Sequence, residues 1–463
     1  MPKQILFVTL AMNQTRFFEA VGDVLREKGW EVAHLCFHEP SWEYLRNRNV
    51  RAYNMFDARF GDGAGVRIED FGIENINLML SHEKAAFESR DSDRMLMKLR
   101  SYLTATQSVL REWAGSDPRQ VVVVQELGGF LSNIATFYAA RSLGIDNIFL
   151  EPSFFRGRVF FVRNSFAAPI VRETGGTGGA DIKETVRKYL DDAVARQSIV
   201  IPSKDTHHYR KPLKKLIDAK NWRRLLEKTA DKFIRGKREQ FDHLGGHVLR
   251  HIRMAVNSQL LKPHYRTLPA GERFIYYPLH VPADVALTLR SPEYLDQLAL
   301  IDFIARCVPH PWKLAVKEHP ALVGAVDYRR VRQLLARRDN VILINPGTNN
   351  YEVIRQAGAV VTVNSKSGAE ALLVGTPVVV LGDAFYRGCR LAHVVDRLRD
   401  LPDLMGRILR APRTADSAAA RAFFTDVWIQ SFPGELYDAT PQNVTEITAS
   451  LQAYLALAPG RAP

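Results

Sequence analysis

Cysteine is scarce, with only Cys36, Cys307 and Cys389 in 463 residues. They are far apart and odd in number, which argues against a disulfide framework, and no Cys-x-x-Cys pair suggests zinc. A reducing cytosol fits that usage, so a cytoplasmic protein is expected. Long apolar runs are also missing. None approaches the roughly eighteen residues of a membrane-spanning helix. The run Ile5 to Met12 follows Lys3 but leads into Asn13-Gln14-Thr15-Arg16, with no small-residue cleavage site. It reads as a buried first strand and not as a signal peptide. No P-loop lysine motif and no Gly-x-Ser-x-Gly elbow occurs.

What is present is an ordinary globular composition, 46% hydrophobic and 24% charged, at a length that suits two or three domains. The charge is less ordinary. Lys and Arg number 63 against 50 Asp and Glu, a formal +13. That points to an anionic partner: nucleic acid, a phospholipid surface or a phosphorylated small molecule. The excess is concentrated between Lys204 and Tyr265, where 16 Lys/Arg face 6 Asp/Glu. Leu213, Leu216, Ile217, Trp222, Leu225, Leu226, Phe233 and Ile234 recur there at roughly helical spacing with cations between. The pattern reads as a basic amphipathic helical segment suited to an anionic membrane surface, against the plainer alternative of an insert with solvated charges. Nucleic acid is disfavoured, because no recognised binding module appears.

Strand-like and helix-like stretches alternate in both halves. In the first, Gln4–Leu10, Glu31–Phe37, Val121–Val124 and Asn147–Leu150 read as strands, with helices at Arg16–Lys28 and Leu131–Leu143. In the second, Phe274–Tyr277, Lys313–Lys317, Val341–Ile344, Val360–Val363 and Val378–Leu381 read as strands. Such alternation predicts parallel, doubly wound α/β sheets. Thr174 to Gly179 (TGGTGG) is expected to be an exposed loop. Asp91-Ser92-Asp93 resembles a metal-binding Asp-x-Asp but lacks a preceding strand, so helix capping explains it better.

Ligands of open α/β sheets bind at the carboxyl ends of strands. Lys317-Glu318-His319-Pro320 stands at such an end, and Lys317 and His319 suit a phosphate oxygen. Asn364-Ser365-Lys366-Ser367-Gly368 follows another strand and opens a helix, a place where hydroxyls and amides favour an anion. Ser367-x-x-Glu370 also fits a capping box, which needs no ligand. In the first half, Gln125 and Glu126 end the valine strand before Gly128-Gly129, a position for a catalytic carboxylate acting as base or nucleophile. Arg156, Arg158 and Arg163 offer a bidentate clamp for a substrate carboxylate, or simply line a surface hairpin.

Taken together, Phe274-Ile-Tyr-Tyr-Pro-Leu-His280-Val-Pro-Ala-Asp284, Val316-Lys-Glu-His-Pro320, Val363-Asn-Ser-Lys-Ser-Gly-Ala-Glu-Ala-Leu372, Gly375-Thr-Pro-Val-Val-Val-Leu-Gly382 and Gln125-Glu-Leu-Gly-Gly-Phe130 resemble the bacterial capsule polysaccharide biosynthesis proteins. That family includes retaining β-Kdo transferases that use CMP-Kdo. The resemblance implies a GT-B fold, two Rossmann-like domains facing across a cleft with the basic helical segment between them. The expected divisions are 1–203, 204–265, 266–430 and a helical tail at 431–463. It further implies Lys317, His319, Ser365, Ser367 and Glu370 as the nucleotide-sugar group, Glu126 with Gln125 as the catalytic pair, and no metal or other cofactor. The family's acid is usually Asp where this chain has Glu126, so Glu151 stands as an alternative. The implied partners are a CMP-Kdo donor, a glycan or lipid-linked acceptor, and the inner membrane as a peripheral surface. Another nucleotide sugar (CMP-sialic acid, UDP- or GDP-linked) and a non-catalytic assembly scaffold remain as alternatives.

Overall fold

The computed structural model describes residues 3–115, 117–197, 227, 229–241, 244–268, 271–413 and 416–457. Most of the basic segment predicted from Lys204 onward, including its helical pattern from Leu213 to Leu226, lies outside the described residues.

Two seven-stranded sheets organise the chain. The first holds β1 (Gln4–Thr9), β2 (Glu31–Cys36), β3 (Ala52–Asn54), β4 (Val121–Glu126), β5 (Asp146–Pro152) and β6 (Arg158–Arg163). The second holds β7 (Tyr265–Arg266), β8 (Phe274–Pro278), β9 (Lys313–Lys317), β10 (Val341–Ile344), β11 (Val360–Thr362), β12 (Val378–Val380) and β13 (Ala392–Val394). A last short strand, β14 (Phe432–Pro433), returns to the first sheet and gives it the order β14-β6-β5-β4-β1-β2-β3. The second sheet runs β13-β12-β11-β8-β9-β10-β7. In each, the strand order reverses beside one early strand, β1 or β8, as in doubly wound nucleotide-binding folds. The central strands are parallel and covered on both faces, which is why Val121–Val124 can be an unbroken, fully buried valine run.

The predicted strands and helices form, with ends shifted by a few residues. The Ser92–Ala114 helix is capped by Asp91, whose carboxylate accepts from the Arg94 amide at 3.0 Å. The capping reading of Asp91-Ser92-Asp93 therefore holds. The TGGTGG loop is an exposed loop as expected, except that Gly176 is buried. Buried Asp426 accepts from the amides of Thr174 at 2.8 Å and Gly176 at 3.1 Å, and a side chain at Gly176 would press on Ala422. An unbonded carboxylate would be costly at Asp426, and the amides of Thr174 and Gly176 satisfy it while most of the loop stays exposed.

The two halves meet at their strands' carboxyl edges. Arg290 donates to Glu151 at 2.8 Å, Lys366 to the Ser153 carbonyl at 3.3 Å, and the Ala168 amide to Asp383 at 2.6 Å. This is the GT-B arrangement. The tail completes the first half. β14 pairs antiparallel with β6, and the Pro441–Ala456 helix buries Val444, Ile447 and Leu451 in the same core as Phe17, Phe18 and Leu25 of the Met12–Glu27 helix. No helix among the described residues is long and apolar enough to cross a membrane.

Candidate active site

β4 carries Glu126 to the carboxyl edge of the first sheet, beside Leu150 of β5 and one residue from Glu151. Alternation then sends its neighbour Gln125 to a buried position. There Gln125 donates to Asn147 Oδ1 at 2.7 Å and accepts from Asn133 at 2.9 Å. Those bonds make it a tie between strand and helix rather than a group at the edge. Glu126 is half-buried and meets two side chains that sequence reasoning did not single out. Gln14 donates to its Oε2 at 2.9 Å, and the Tyr437 hydroxyl donates to the same oxygen.

Across the interface, β9 ends in Lys317-Glu318-His319. Lys317 is buried, donates to the Thr348 carbonyl at 2.8 Å, and is pushed down to about 8 by burial, with Glu370 opposing. His319 caps the turn at Pro320–Leu322, its Nδ1 accepting from the Ala321 amide at 3.3 Å. The hydrogen is thereby assigned to Nε2. Burial holds this imidazole down to about 4, so at neutral pH it is an uncharged donor. His280, after β8, accepts at Nε2 from the Asn364 amide at 3.3 Å and is likewise lowered to about 4, chiefly by burial.

The helix after β11 runs Lys366–Leu373 and is capped by Ser365, whose Oγ accepts from the Ser367 amide at 3.2 Å. The expected capping box at Ser367 and Glu370 therefore does not form. Asn350 takes both residues instead, donating to Ser367 Oγ at 3.0 Å and to Glu370 at 2.5 Å. Ser365 and Gly368 amides are also occupied, by Thr362 Oγ1 and the Ser365 carbonyl. Anion recognition at this turn then rests less on free amides than on hydroxyls, since Ser365 and Ser367 each accept one bond and keep their own hydrogen to donate. Glu370 is wholly buried and pushed up to about 7 by desolvation, against the pull of Asn350 and Lys317. It is a support beneath the serine turn.

The three arginines do not converge. β6 runs antiparallel to β5 and carries Arg163 back to the opposite edge, where it pairs with Asp146 at 3.2 Å. Arg158 stacks on Trp428 at 4.3 Å and donates to Ser431 Oγ at 2.9 Å, clamping the tail. Arg156 is exposed on the turn between β5 and β6. The expected carboxylate clamp is thus not assembled. The cations at the meeting edges are Arg290 and Lys366 instead. A further link between halves is His82, whose Nδ1 lies 2.9 Å from Thr288 Oγ1. Position after β1 was a signal for Gln14; nothing local marks Tyr437. Among the described residues, no three His, Cys, Asp or Glu side chains are grouped to hold a metal ion.

Residues 206–394 match the model of a family described as capsule polysaccharide biosynthesis protein. Protein FixF of Sinorhizobium fredii (strain NBRC 101917 / NGR234) is 28% identical over 176 residues, 38% of this chain. The chain spans 42% of that protein's length. Among solved structures, the β-Kdo 2,7 transferase of Thermosulfurimonas dismutans KpsC matches with a TM-score of 0.35 at 17% identity, over 75% of this chain and 88% of that one. The β-Kdo 2,4 transferase of the same protein matches at 0.33 and 14%, over 72% and 86%.

Proposed function

We propose, from the match of residues 206–394 to the model of the capsule polysaccharide biosynthesis family, that this chain transfers Kdo from CMP-Kdo to a glycan or lipid-linked acceptor. One observation carries the reading. Glu126 ends a strand at the edge of one sheet, and His319, Ser365 and Ser367 stand at the facing edge of the other. A donor lying between them has its phosphate on the second half and its sugar on the first.

CMP is a good leaving group whose departing phosphate needs charge stabilisation. The His319 Nε2–H and the two serine hydroxyls donate to it, and Lys317 adds positive charge from below through its place beside Glu370. Kdo bears a carboxylate next to its anomeric carbon, and Lys366, between the halves, is the cation proposed to receive it. Glu126 attacks the anomeric carbon as the bond to the phosphate oxygen breaks with its electron pair. An acceptor hydroxyl then displaces Glu126 from the adduct, the carboxylate leaving with the bonding pair and the hydroxyl proton passing to solvent. No metal or other cofactor takes part in this scheme.

Nucleotide release from CMP-Kdo, CMP-sialic acid, UDP-GlcNAc and GDP-mannose, with and without acceptor, tests it. Turnover of CMP-Kdo alone is expected. Selective turnover of a UDP- or GDP-sugar overturns the donor assignment, and retained cellular function in Glu126→Ala supports a scaffold instead.

We place the enzyme against the anionic cytoplasmic face of the inner membrane. The Leu244–Leu261 helix packs one side on both halves: Arg250 donates to the Ala86 carbonyl at 3.0 Å, and Asn257 to the Val326 carbonyl at 3.0 Å. Its other side exposes Leu249, Ile252, Val256 and Leu260, a stripe within about a quarter turn. The segment around it carries the chain's cationic excess, which complements an acidic bilayer. Co-sedimentation with vesicles containing phosphatidylglycerol, but not phosphatidylcholine alone, is expected and should fall in Leu249→Asp/Val256→Asp. Equal binding by that variant sinks the assignment.

A further inference from the structure

The C-terminal tail reaches the proposed catalytic carboxylate, and the Gln14 amide settles the direction of the bonds between them. Gln14 Oε1 accepts from the Leu10 amide at 2.7 Å, which leaves the side-chain NH₂ of Gln14 as donor. That nitrogen lies 2.9 Å from Glu126 Oε2 and 2.9 Å from the Tyr437 hydroxyl oxygen. Tyr437 therefore accepts from Gln14 and directs its own hydrogen to Glu126 Oε2. The backbone at Tyr437 has φ 67°, left-handed and unusual for an aromatic residue, and its ring lies edge-on to Phe17 at 5.7 Å. Backbone held in such a region costs energy and persists where the surroundings demand it.

We propose that Tyr437 and Gln14 are positioning residues that fix the Glu126 carboxylate, so that the tail beyond β14 is part of the active site. Both donors hold the same oxygen, which restrains where the carboxylate sits relative to the sugar. This rests on the reading of Glu126 as the catalytic acid.

The test is steady-state turnover of CMP-Kdo by the full chain bearing Tyr437→Phe, Gln14→Leu, both, or Glu126→Gln. Tyr437→Phe keeps the ring on Phe17, and thermal melting checks that it folds. Each single change is expected to lower kcat about 10- to 100-fold while the donor KM stays within about twofold. The double variant should lose less than the product of the two losses, because the donors act on one oxygen. A purely structural tie would lower melting temperature without that split. Wild-type kcat in Tyr437→Phe, with Glu126→Gln inactive, overturns the inference and leaves Glu126 standing. An active Glu126→Gln overturns both.

Discussion

Arg290 donates from Nη2 to Oε2 of Glu151 at 2.8 Å, and the two residues come from opposite halves of the molecule. Arg290 also donates to the carbonyls of Phe166 at 2.7 Å and Ala167 at 3.0 Å. The pair is nearly excluded from water, and burial pushes the Glu151 carboxyl up while Arg290 holds it down. Such a pair contributes little net stability when intact, but losing one partner strands a buried charge. Arg290→Ala should cost about 3–5 kcal/mol in urea unfolding, whereas Arg290→Met/Glu151→Leu should recover most of it. An unchanged urea midpoint in Arg290→Ala would show that the halves do not depend on this brace.

A neutral His319 makes a different prediction from a cationic one. Its folded value of about 4 is below the ordinary 6.5, so it stays uncharged throughout neutral pH. Its share of CMP binding should therefore be flat between pH 5.5 and 8. His319→Ala should weaken CMP about tenfold, the scale of one hydrogen bond to a charged group, and His319→Gln, which can present an N–H near the position of Nε2, should lose less. Calorimetric titration with CMP checks both. Affinity that falls in the wild type, but not in His319→Ala, as pH rises through 6.5 would contradict the uncharged donor.

Gly368 is required by a close approach. A Cβ there would press into the ring and hydroxyl of Tyr386, which is fully buried and donates to the Ser365 carbonyl at 2.6 Å. Overpacking of this kind costs about 1–3 kcal/mol, and relief by moving Tyr386 would loosen the serine turn. Gly368→Ala should thus lower the melting temperature and raise the donor KM together. Removing the crowding oxygen with Tyr386→Phe in the same chain should restore part of the stability. Failure of that rescue would place the strain elsewhere.

The central strands were legible because burial on both faces demands unbroken apolar runs, as in Val121–Val124 and Val341–Ile344. β3 and β14 were not, being edge strands of three and two residues whose existence depends on pairing with β2 and β6. At the site, strand ends located Glu126, Lys317, His319 and the serine turn. Side-chain partners could not be read. The Ser367–Glu370 spacing matched a local cap, but Asn350 arrives from another helix and redirects both. Tyr437 lies 311 residues from Glu126, a separation that no local period encodes.

Glu370 gives a prediction with a definite sign in pH. Its carboxyl is wholly buried and raised from 4.5 to about 7. Between those values the folded protein binds more protons than the unfolded chain, so unfolding free energy falls as pH rises from about 4.5 to 7. The full shift corresponds to roughly 3 kcal/mol, an upper bound because Lys317 and Asn350 relax with it. Glu370→Gln keeps the size of the side chain and an oxygen or amide for Asn350, but cannot ionise. The variant should therefore show a flatter dependence of urea midpoint on pH across that window and be relatively more stable at pH 8 than at pH 5, compared with the wild type. Lys317 acts in a separate window. Its value is lowered to about 8, so stability should rise between pH 8 and 10.5 as the unfolded chain retains the proton. Identical pH slopes for wild type and Glu370→Gln between pH 5 and 7 would mean that this carboxyl is already ionised in the folded protein and that Lys317 compensates it fully.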